Sequence, residues 1–304
     1  MTASISLVTP SYSGDFDCCK LLCLSIDRHV TGHDMHYIVV GDEDAALFAP
    51  LNGPRRRVVS SSSLLPKFWA LPKWRGRRYW WSPAIHLPVY GWHLQQLRKI
   101  AMTLAQSSER VMCVDSDNVF CHPLDLSEIA AAPRLPHYVE PGQINPSRPN
   151  HVRWWQNAHR ALGLPDPVLP GDDFIGPMTL WERETVKVMT ARIENTSGLP
   201  WWQALARQRH FSEYLVYGAA VAGDPTLAAR HERVSESRCV TYWVGPPLDR
   251  AGLQQPVDRQ AQRDPACCRT NAPSPSSRIP IRRSRSFERS PSARPEAWFI
   301  RQPL

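Results

Sequence analysis

Lysine is scarce in this 304-residue chain, with five lysines beside 31 arginines. The eight cysteines, at 18, 19, 23, 113, 121, 239, 267 and 268, include no Cys-x-x-Cys pair, so the ligand spacing of a structural zinc site is missing. No apolar run approaches the ~18–20 residues that a membrane span needs. The opening "MTASISLVTPSYS" has no charged segment followed by a long apolar one, so it does not read as a secretory signal. Free thiols without an export signal point to the reducing cytoplasm. A glycine-rich basic loop is also missing after the first apolar run, where "TPSYSGDFD" is acidic. That counts against a nucleotidyltransferase, the enzyme class that would otherwise share paired carboxylates, a metal and a diphosphate.

Hydrophobic content of 42% and charged content of 21% are ordinary for a globular protein, and 304 residues bury a large core. Proline, at 29, and tryptophan, at 12, are plentiful. The formal charge of +8 invites a nucleic-acid reading until it is divided along the chain. From Arg250 to Leu304 eleven arginines face four acids, a net of +7, which leaves +1 for residues 1–249. The composition supports one domain over 1–249 and an Arg/Ser/Pro-rich tail over 250–304 that lacks a core-forming pattern and reads as disordered. An RNA-binding protein acting through that tail is the alternative from another class. A frame-shifted end would look the same.

"ISLVTP" (5–10) is a β-branched apolar run ending at proline, and reads as a strand. "FDCCKLLCLSIDRHV" (16–30) has helical spacing with Gly14 or Asp15 near its start, and "MHYIVVGDED" (35–44) is a second strand ending in acids. Strand, helix and strand in forty residues make a parallel βαβ unit, the opening of an α/β sheet whose ligands gather at the carboxyl ends of its strands. Residues 50–90 mix Arg, Trp and Pro without periodicity and read as a long excursion with short helices. "GWHLQQLRKIAMTLAQ" (91–106) is a helix and "ERVMCVD" (109–115) a buried strand with a short continuation "NVF". "PHYVEPG" (136–142) is a strand, "HVRWWQNAHRALGL" (151–164) a helix, and "GDDFIGPMTLW" (171–181) an acidic turn entering a strand. One helix follows over "ERETVKVMTARIEN", then one or two over 201–222, and "CVTYWVG" (239–245) is the last strand.

Asp115 and Asp117, in "VMCVDSDNVF", stand at the mouth of the strand. Mg²⁺ and Mn²⁺ prefer oxygen ligands and commonly take one or two protein carboxylates, leaving other positions to phosphates and water. Alternate side chains along an extended segment project to one side, so D-x-D at a strand end can present such a pair. A polar turn whose aspartates cap the amides of Asn118 and Phe120 would carry the same letters.

The ordered set "ISLVTPSY", "HYIVVGDED", "GWHLQQLRKIA", "VMCVDSDNVF", "GDDFIGPMTLW" and "FSEYLVYG" resembles the GT-A type of nucleotide-sugar-dependent glycosyltransferase. More narrowly it resembles an uncharacterised bacterial family grouped with glycosyltransferases of that fold. The resemblance runs from about Ile5 to about Gly245. It implies a GT-A-like (Rossmann-like), mostly parallel sheet flanked by helices. It also implies transfer of a sugar from a nucleotide-diphosphate donor, a UDP-sugar above all, to a hydroxyl acceptor in bacterial surface-glycan or glycoconjugate synthesis. Such work would place the protein in the cytoplasm or at the inner face of the membrane, with no nucleic-acid partner.

The same resemblance implies roles. Thr9, Pro10 and Tyr12 would hold the base and ribose, with Asp42 beside them. Asp115 would meet the ribose or a metal-bound water, and Asp117 would bind Mn²⁺ or Mg²⁺ directly. Lys99, Gln95 and Gln96 would reach the donor from their helix, although Lys99 also reads as a solvated helix residue. Asp172 and Asp173 are candidates for the general base on the acceptor side. Glu213 is the alternative, with a helix-surface glutamate as its plain reading. His231 is the available third metal ligand, since Val240 stands where a late histidine was wanted. The Arg/Trp-rich segment 55–81 reads as ordinary packing, as an acceptor-contacting lid, or as a surface meeting anionic lipid.

Overall fold

The computed structural model describes residues 4–72, 79–176 and 178–235. β1 (Ile5–Pro10), wholly buried, leads into α1 (Phe16–His29) and returns as β2 (His36–Val40), parallel to β1 with Leu7 opposite His36. β3 (Arg56–Ser60) adds in parallel outside β2. The chain then crosses back through α2 (Gly91–Ala105) to β4 (Arg110–Val114), which pairs in parallel with the other side of β1. β5 (Leu135–Tyr138), β6 (Glu140–Ile144), α3 (Pro149–Ala161) and β7 (Gly171–Asp173) follow. β8 (Met178–Glu182) closes the sheet antiparallel to β4, giving the order β3–β2–β1–β4–β8. The remaining long elements are α4 (Arg183–Ser197), α5 (Trp201–Arg207), α6 (Glu213–Ala222) and β9 (His231–Val234). The protein is therefore mixed α/β, with a mostly parallel central sheet flanked by helices.

Strand side chains alternate between faces, so a sheet covered on both sides needs apolar residues at successive positions. Ile5 and Leu7 pack with Met112, Val114 and the α1 residues Leu22 and Ile26. Val8, Val111 and Cys113 join the opposite cluster, which includes Leu97 and Ile100 of α2. Trp181 and Tyr217 are fully buried and stack with centroids 5.5 Å apart. Aromatics of that size each contribute about 2–3 kcal/mol through burial. α4 ends at Gly198, whose φ of 68° is the left-handed conformation that glycine adopts without steric cost.

Several local expectations are corrected. The excursion over 50–90 holds the expected short helices, as 3-10 turns at Ala49–Leu51 and Ser61–Ser63, but also the edge strand β3 and three short strands, Trp69–Ala70, Tyr79–Trp81 and Val89–Tyr90. "RRVVS" was missed because an edge strand carries polar residues that blur its apolar pattern. "NVF" does not continue β4; the chain turns there, with the Asn118 amide bonded to the Asp115 carbonyl. The strand expected over 136–142 divides into β5 and β6, with β6 paired to β7. The helical region 201–222 is two helices, α5 and α6. β9, unforeseen, pairs in parallel with β5. The strand expected over 239–245 and the tail 250–304 lie outside the described residues. Among the described residues no helix is long and apolar enough to cross a membrane.

The topology decides where ligands can gather. β1 connects toward β2 and β3, whereas β4 lies on the opposite side of β1 and is followed outward by β8. The order reverses between β1 and β4, and in open α/β sheets the crevice outside the carboxyl ends at such a reversal is the usual ligand site. Ser11–Asp15 follows β1, Asp42–Asp44 follows β2 and Asp115–Asp117 follows β4, all at this end. Met178 pairs with Val114, so the 171–176 segment enters from the same end.

Candidate active site at the carboxyl ends of the strands

Lys99, two turns into α2, points at the end of β4. Its Nζ lies 2.8 Å from Asp115 Oδ1 and 2.9 Å from Glu213 Oε1, and donates to the Tyr214 hydroxyl at 2.6 Å. An ammonium has three protons to donate, and all three are accounted for. Lys99 and Glu213 are 4% and 3% exposed, whereas the Asp115 side chain is 32% exposed. Burial alone would lower the lysine pKa, but the Asp115 and Glu213 carboxylates outweigh it and hold the ammonium well above its ordinary value. Glu213 goes the other way from a simple ion pair: burial pushes its carboxyl up, Asp115 adds to that, and the attraction of Lys99 offsets only part. One ammonium is shared by two carboxylates, so the triad carries surplus negative charge. Gln96, one turn before Lys99, accepts the Glu213 amide at 3.0 Å and leaves its own buried Nε2 without a partner.

The next residue turns to the opposite face. Ser116 Oγ donates to Asp15 Oδ2 at 3.4 Å, joining the loop after β4 to the start of α1. Asp15 is 8% exposed and its Oδ1 has no hydrogen-bond partner. Burial raises its pKa to about 6, the Tyr12 and Ser116 hydroxyls oppose that, and the charge of Asp115 adds to it. Tyr12 lies over Gly14, where any Cβ would strike its ring. The Asn118 amide bonds the Asp115 carbonyl, and the Phe120 amide bonds Ser25 Oγ at 3.1 Å.

Arg98 occupies the other flank. It is 4% exposed, donates weakly to the Ser11 carbonyl at 3.4 Å, and has a buried Nε with no partner. Burial lowers its pKa to about 10, against the pull of Glu43, Asp44 and Asp42, so the guanidinium stays charged at neutral pH. Asp44 accepts the Ser13 amide at 3.0 Å and Glu43 accepts Trp80 Nε1 at 3.1 Å. Trp80 thereby anchors the hairpin of the Arg/Trp segment at the rim, while Trp69 and Trp81 are exposed.

The structure therefore gathers Asp115, Lys99, Gln96 and Glu213, with Tyr12 held on the loop beside them. Lys99 and Glu213 are buried, contrary to their plain readings as surface residues. Gln95 is half-buried on the same helix and Pro10 is buried at the end of β1. Thr9 is turned into the sheet: its hydroxyl bonds His36 Nε2 at 3.0 Å, and His36 in turn accepts from Arg56. Asp42 takes the Ser60 hydroxyl and the Ser62 amide and so holds the turn after β3. Partial burial would raise its carboxyl, but the serine bonds and the charge of Lys67 keep it below the ordinary range.

Asp172 and Asp173 are also engaged. Asp172 pairs with Arg233 at 2.5 Å and accepts the Gly142 amide at 3.1 Å, bonds that outweigh burial and lower its pKa. Asp173, 2% exposed, accepts His151 Nδ1 at 2.5 Å, Arg148 at 3.3 Å and the Ile175 amide at 3.1 Å. His231 has both ring nitrogens occupied, by the Tyr217 hydroxyl at 2.7 Å and the Leu227 carbonyl at 2.8 Å, which leaves no lone pair for a metal. Among the described residues no group of three or more His, Cys, Asp or Glu is arranged to hold a metal ion. Asp117 is half-buried in the turn after β4, where its charge, after that of Asp15, adds to the burial that raises the Cys18 thiol.

Sequence reasoning missed Asp15, Arg98 and His151. Asp15 stood in view only as a helix start, and Arg98 lay beside the chosen Lys99. Helical spacing did carry a signal, because Gln96, Lys99 and the buried Thr103 recur at three- and four-residue steps on a face that also buries Leu97 and Ile100.

The fold and site define an α/β protein with a cluster of charged and polar side chains at the strand-order reversal of a mostly parallel sheet. The chain matches, over residues 2–243, the family described as "Family of unknown function (DUF6492)", and it belongs to that family. None of the curated proteins matches it.

Proposed function

We propose that the protein is a glycosyltransferase that moves a sugar from a nucleotide-diphosphate donor to a hydroxyl acceptor, on a GT-A-like sheet. The observation that carries the reading is the Asp115–Lys99–Glu213 triad at the carboxyl end of β4, beside buried polar atoms that still have bonding capacity. Gln96 Nε2, Arg98 Nε and Asp15 Oδ1 are three such atoms, on α2 and at the start of α1. Buried polar groups are ordinarily satisfied, so open ones gathered at a strand-order reversal fit a polar ligand that completes them.

In this reading Asp115 and Asp117 hold a Mn²⁺ or Mg²⁺ ion, with Asp15 near enough to add negative field. When bound, the ion offsets the charge that develops on the diphosphate leaving group. Lys99 fixes the Asp115 rotamer, because a buried ammonium shared with Glu213 and Tyr214 leaves that carboxylate little freedom. Glu213 is held in turn through its own amide by Gln96. Arg98 presents a charged, water-shielded guanidinium to an anionic or carbonyl oxygen of the nucleotide. Tyr12 supplies a half-buried ring beside the base. His231 has no part in the site.

The test is a thermal-shift screen of UDP, UDP-glucose, UDP-galactose and UDP-N-acetylglucosamine, with and without Mn²⁺. A ligand at a hundredfold excess over its Kd stabilises by about 2.7 kcal/mol, roughly 5–10 °C in Tm for a domain of this size. The shift is expected to need Mn²⁺ and to disappear in Asp117→Ala and Asp115→Asn. No shift with any of the four, or a shift untouched by both substitutions, overturns the reading.

A further inference from the structure

Asp173 is nearly inaccessible, and what it does is hold a histidine. The carboxylate lies 2.5 Å from His151 Nδ1 and accepts its N–H hydrogen bond, so in the neutral ring the lone pair falls on Nε2. His151 is 26% exposed against 2% for Asp173, so the imidazole is the member of the pair that meets solvent. Arg148, three residues earlier and on the same face at the start of α3, donates to Asp173 at 3.3 Å and approaches Glu140 at 3.5 Å. Arg148 and Glu140 also line a shallow cavity of about 400 Å³ that includes Tyr138 and Gln143, with the Tyr138 hydroxyl donating to Glu140 at 2.7 Å.

Aromatic rings bound the same corner. Trp154 lies with its centroid 5.0 Å from His151 and 5.2 Å from Trp92 at the start of α2. Trp92 precedes Lys99 by seven residues, about 10 Å along the helix axis. Trp154 and Trp92 thus tie α3 to the start of α2, and Arg148 joins the histidine to the cavity, which His151 itself does not line. Neighbouring acceptors, donors and indole faces match a hydroxyl-rich ring, with polar edges for hydrogen bonds and C–H faces for stacking.

Resting on the donor site proposed above, we infer that His151, oriented by Asp173, is the base of the transfer, and that the adjoining cavity holds the hydroxyl-bearing acceptor. The acceptor O–H proton passes to His151 Nε2 as its oxygen bonds to the anomeric carbon. The bond from that carbon to the diphosphate oxygen breaks, and its electron pair leaves with the nucleoside diphosphate. The imidazolium is balanced by the Asp173 carboxylate, and the proton then goes to water at the exposed ring edge. Here Asp173 is a positioning residue, and the proton is taken one residue further out than the sequence reading placed it.

The experiment follows UDP release from whichever of the four nucleotides shifts the wild-type full chain, with water and the methyl glycosides of glucose, galactose and N-acetylglucosamine as acceptors. His151→Gln keeps a donor for Asp173 but takes no proton, and should lower kcat at least 100-fold with the donor-induced thermal shift unchanged. Asp173→Asn should lower kcat less, and millimolar imidazole should restore part of the activity of His151→Gly, a rescue that a structural role would not show. Trp154→Ala should raise the acceptor KM with little change in the donor KM. Turnover by His151→Gln within threefold of wild type overturns this inference and leaves the donor site standing. So does a wild type that binds donor yet releases no UDP, or His151→Gly that folds and is not rescued. Loss of the nucleotide shift in the wild type itself defeats the donor site and this inference together. Should His151→Gln fail to fold, the Trp154→Ala acceptor KM decides: an unchanged value overturns the proposal.

Discussion

Lys99 Nζ lies 2.8 Å from Asp115 Oδ1, so the first positive charge met by the carboxylate at the mouth of β4 is an ammonium from the preceding helix. That ammonium also serves Glu213, 114 residues further along the chain. The arrangement ties the end of the sheet to the start of α6, and its cost and use are separable by mutation.

Lys99→Met should leave two carboxylates without their shared cation in a buried corner. Removing one partner of such a group typically costs 3–5 kcal/mol. The double variant Lys99→Met/Glu213→Gln removes one of the stranded charges and should recover a good part of the loss. Urea denaturation of wild type, single and double variants checks this. A single variant within about 1 kcal/mol of wild type would show that the triad contributes nothing to the fold.

Asp15 carries a measurable penalty at neutral pH. Its folded pKa of about 6 lies above the ordinary aspartate value of 3.8, so the fold is favoured while the group is protonated. That contribution is full below pH ~4 and is lost as pH rises through ~6. Asp15→Asn should therefore raise stability at pH 7.5, by up to about 3 kcal/mol, and have little effect at pH 3.5. Tm measured for both proteins across pH 3.5–8 gives the answer, with equal curves as the contrary result.

His137 acts in the opposite sense. It is 2% exposed, has no partner on either ring nitrogen, stacks on Phe174 with centroids 5.0 Å apart, and burial lowers its pKa to about 3. A depressed pKa gives stability that is present above pH 6.5 and drains away as pH falls toward 3. His93 and His33, both lowered to about 4 by burial, add to the same trend. His137→Phe should flatten the acid limb of the stability profile between pH 6.5 and 4 while changing stability at pH 8 by less than about 1.5 kcal/mol. An acid limb as steep as that of wild type would count against it.

Gly218, inside α6, lets the ring of Phe174 lie against the helix backbone, and a Cβ there would strike the ring. Phe174 is bonded to Asp173, so this contact also seats the His151 dyad. Gly218→Ala gains helix propensity but should cost about 1–3 kcal/mol through overpacking. It should also perturb the His151 ring signals in NMR. A more stable Gly218→Ala protein would show that Phe174 has room to move.

How far the sequence was legible depends on the range of the force involved. The βαβ opening, the helix over 91–105 and the strand at 110–114 were readable because apolar periodicity is a local property of a dozen residues. β3 and β9 were not, since one is a polar-edged strand and the other is four residues long with charges at Glu232 and Arg233. The acidic pair at the strand mouth could be seen to need a cation. That Lys99 supplies the first one could not, because helical spacing says only which face a residue is on.

Taken alone, the chain of residues determined an α/β sheet with carboxylates just past the end of the strand over 110–114. Alternation and helical period are enforced by neighbours along the backbone, and no distant partner is needed to specify them. Only tertiary packing decided that Lys99 would join Asp115 to Glu213, that His231 would spend both nitrogens on Tyr217 and Leu227, and that Asp173 would face His151. Those pairings follow from which helix covers which strand, and the side chains that meet come from segments whose local patterns carry no record of one another.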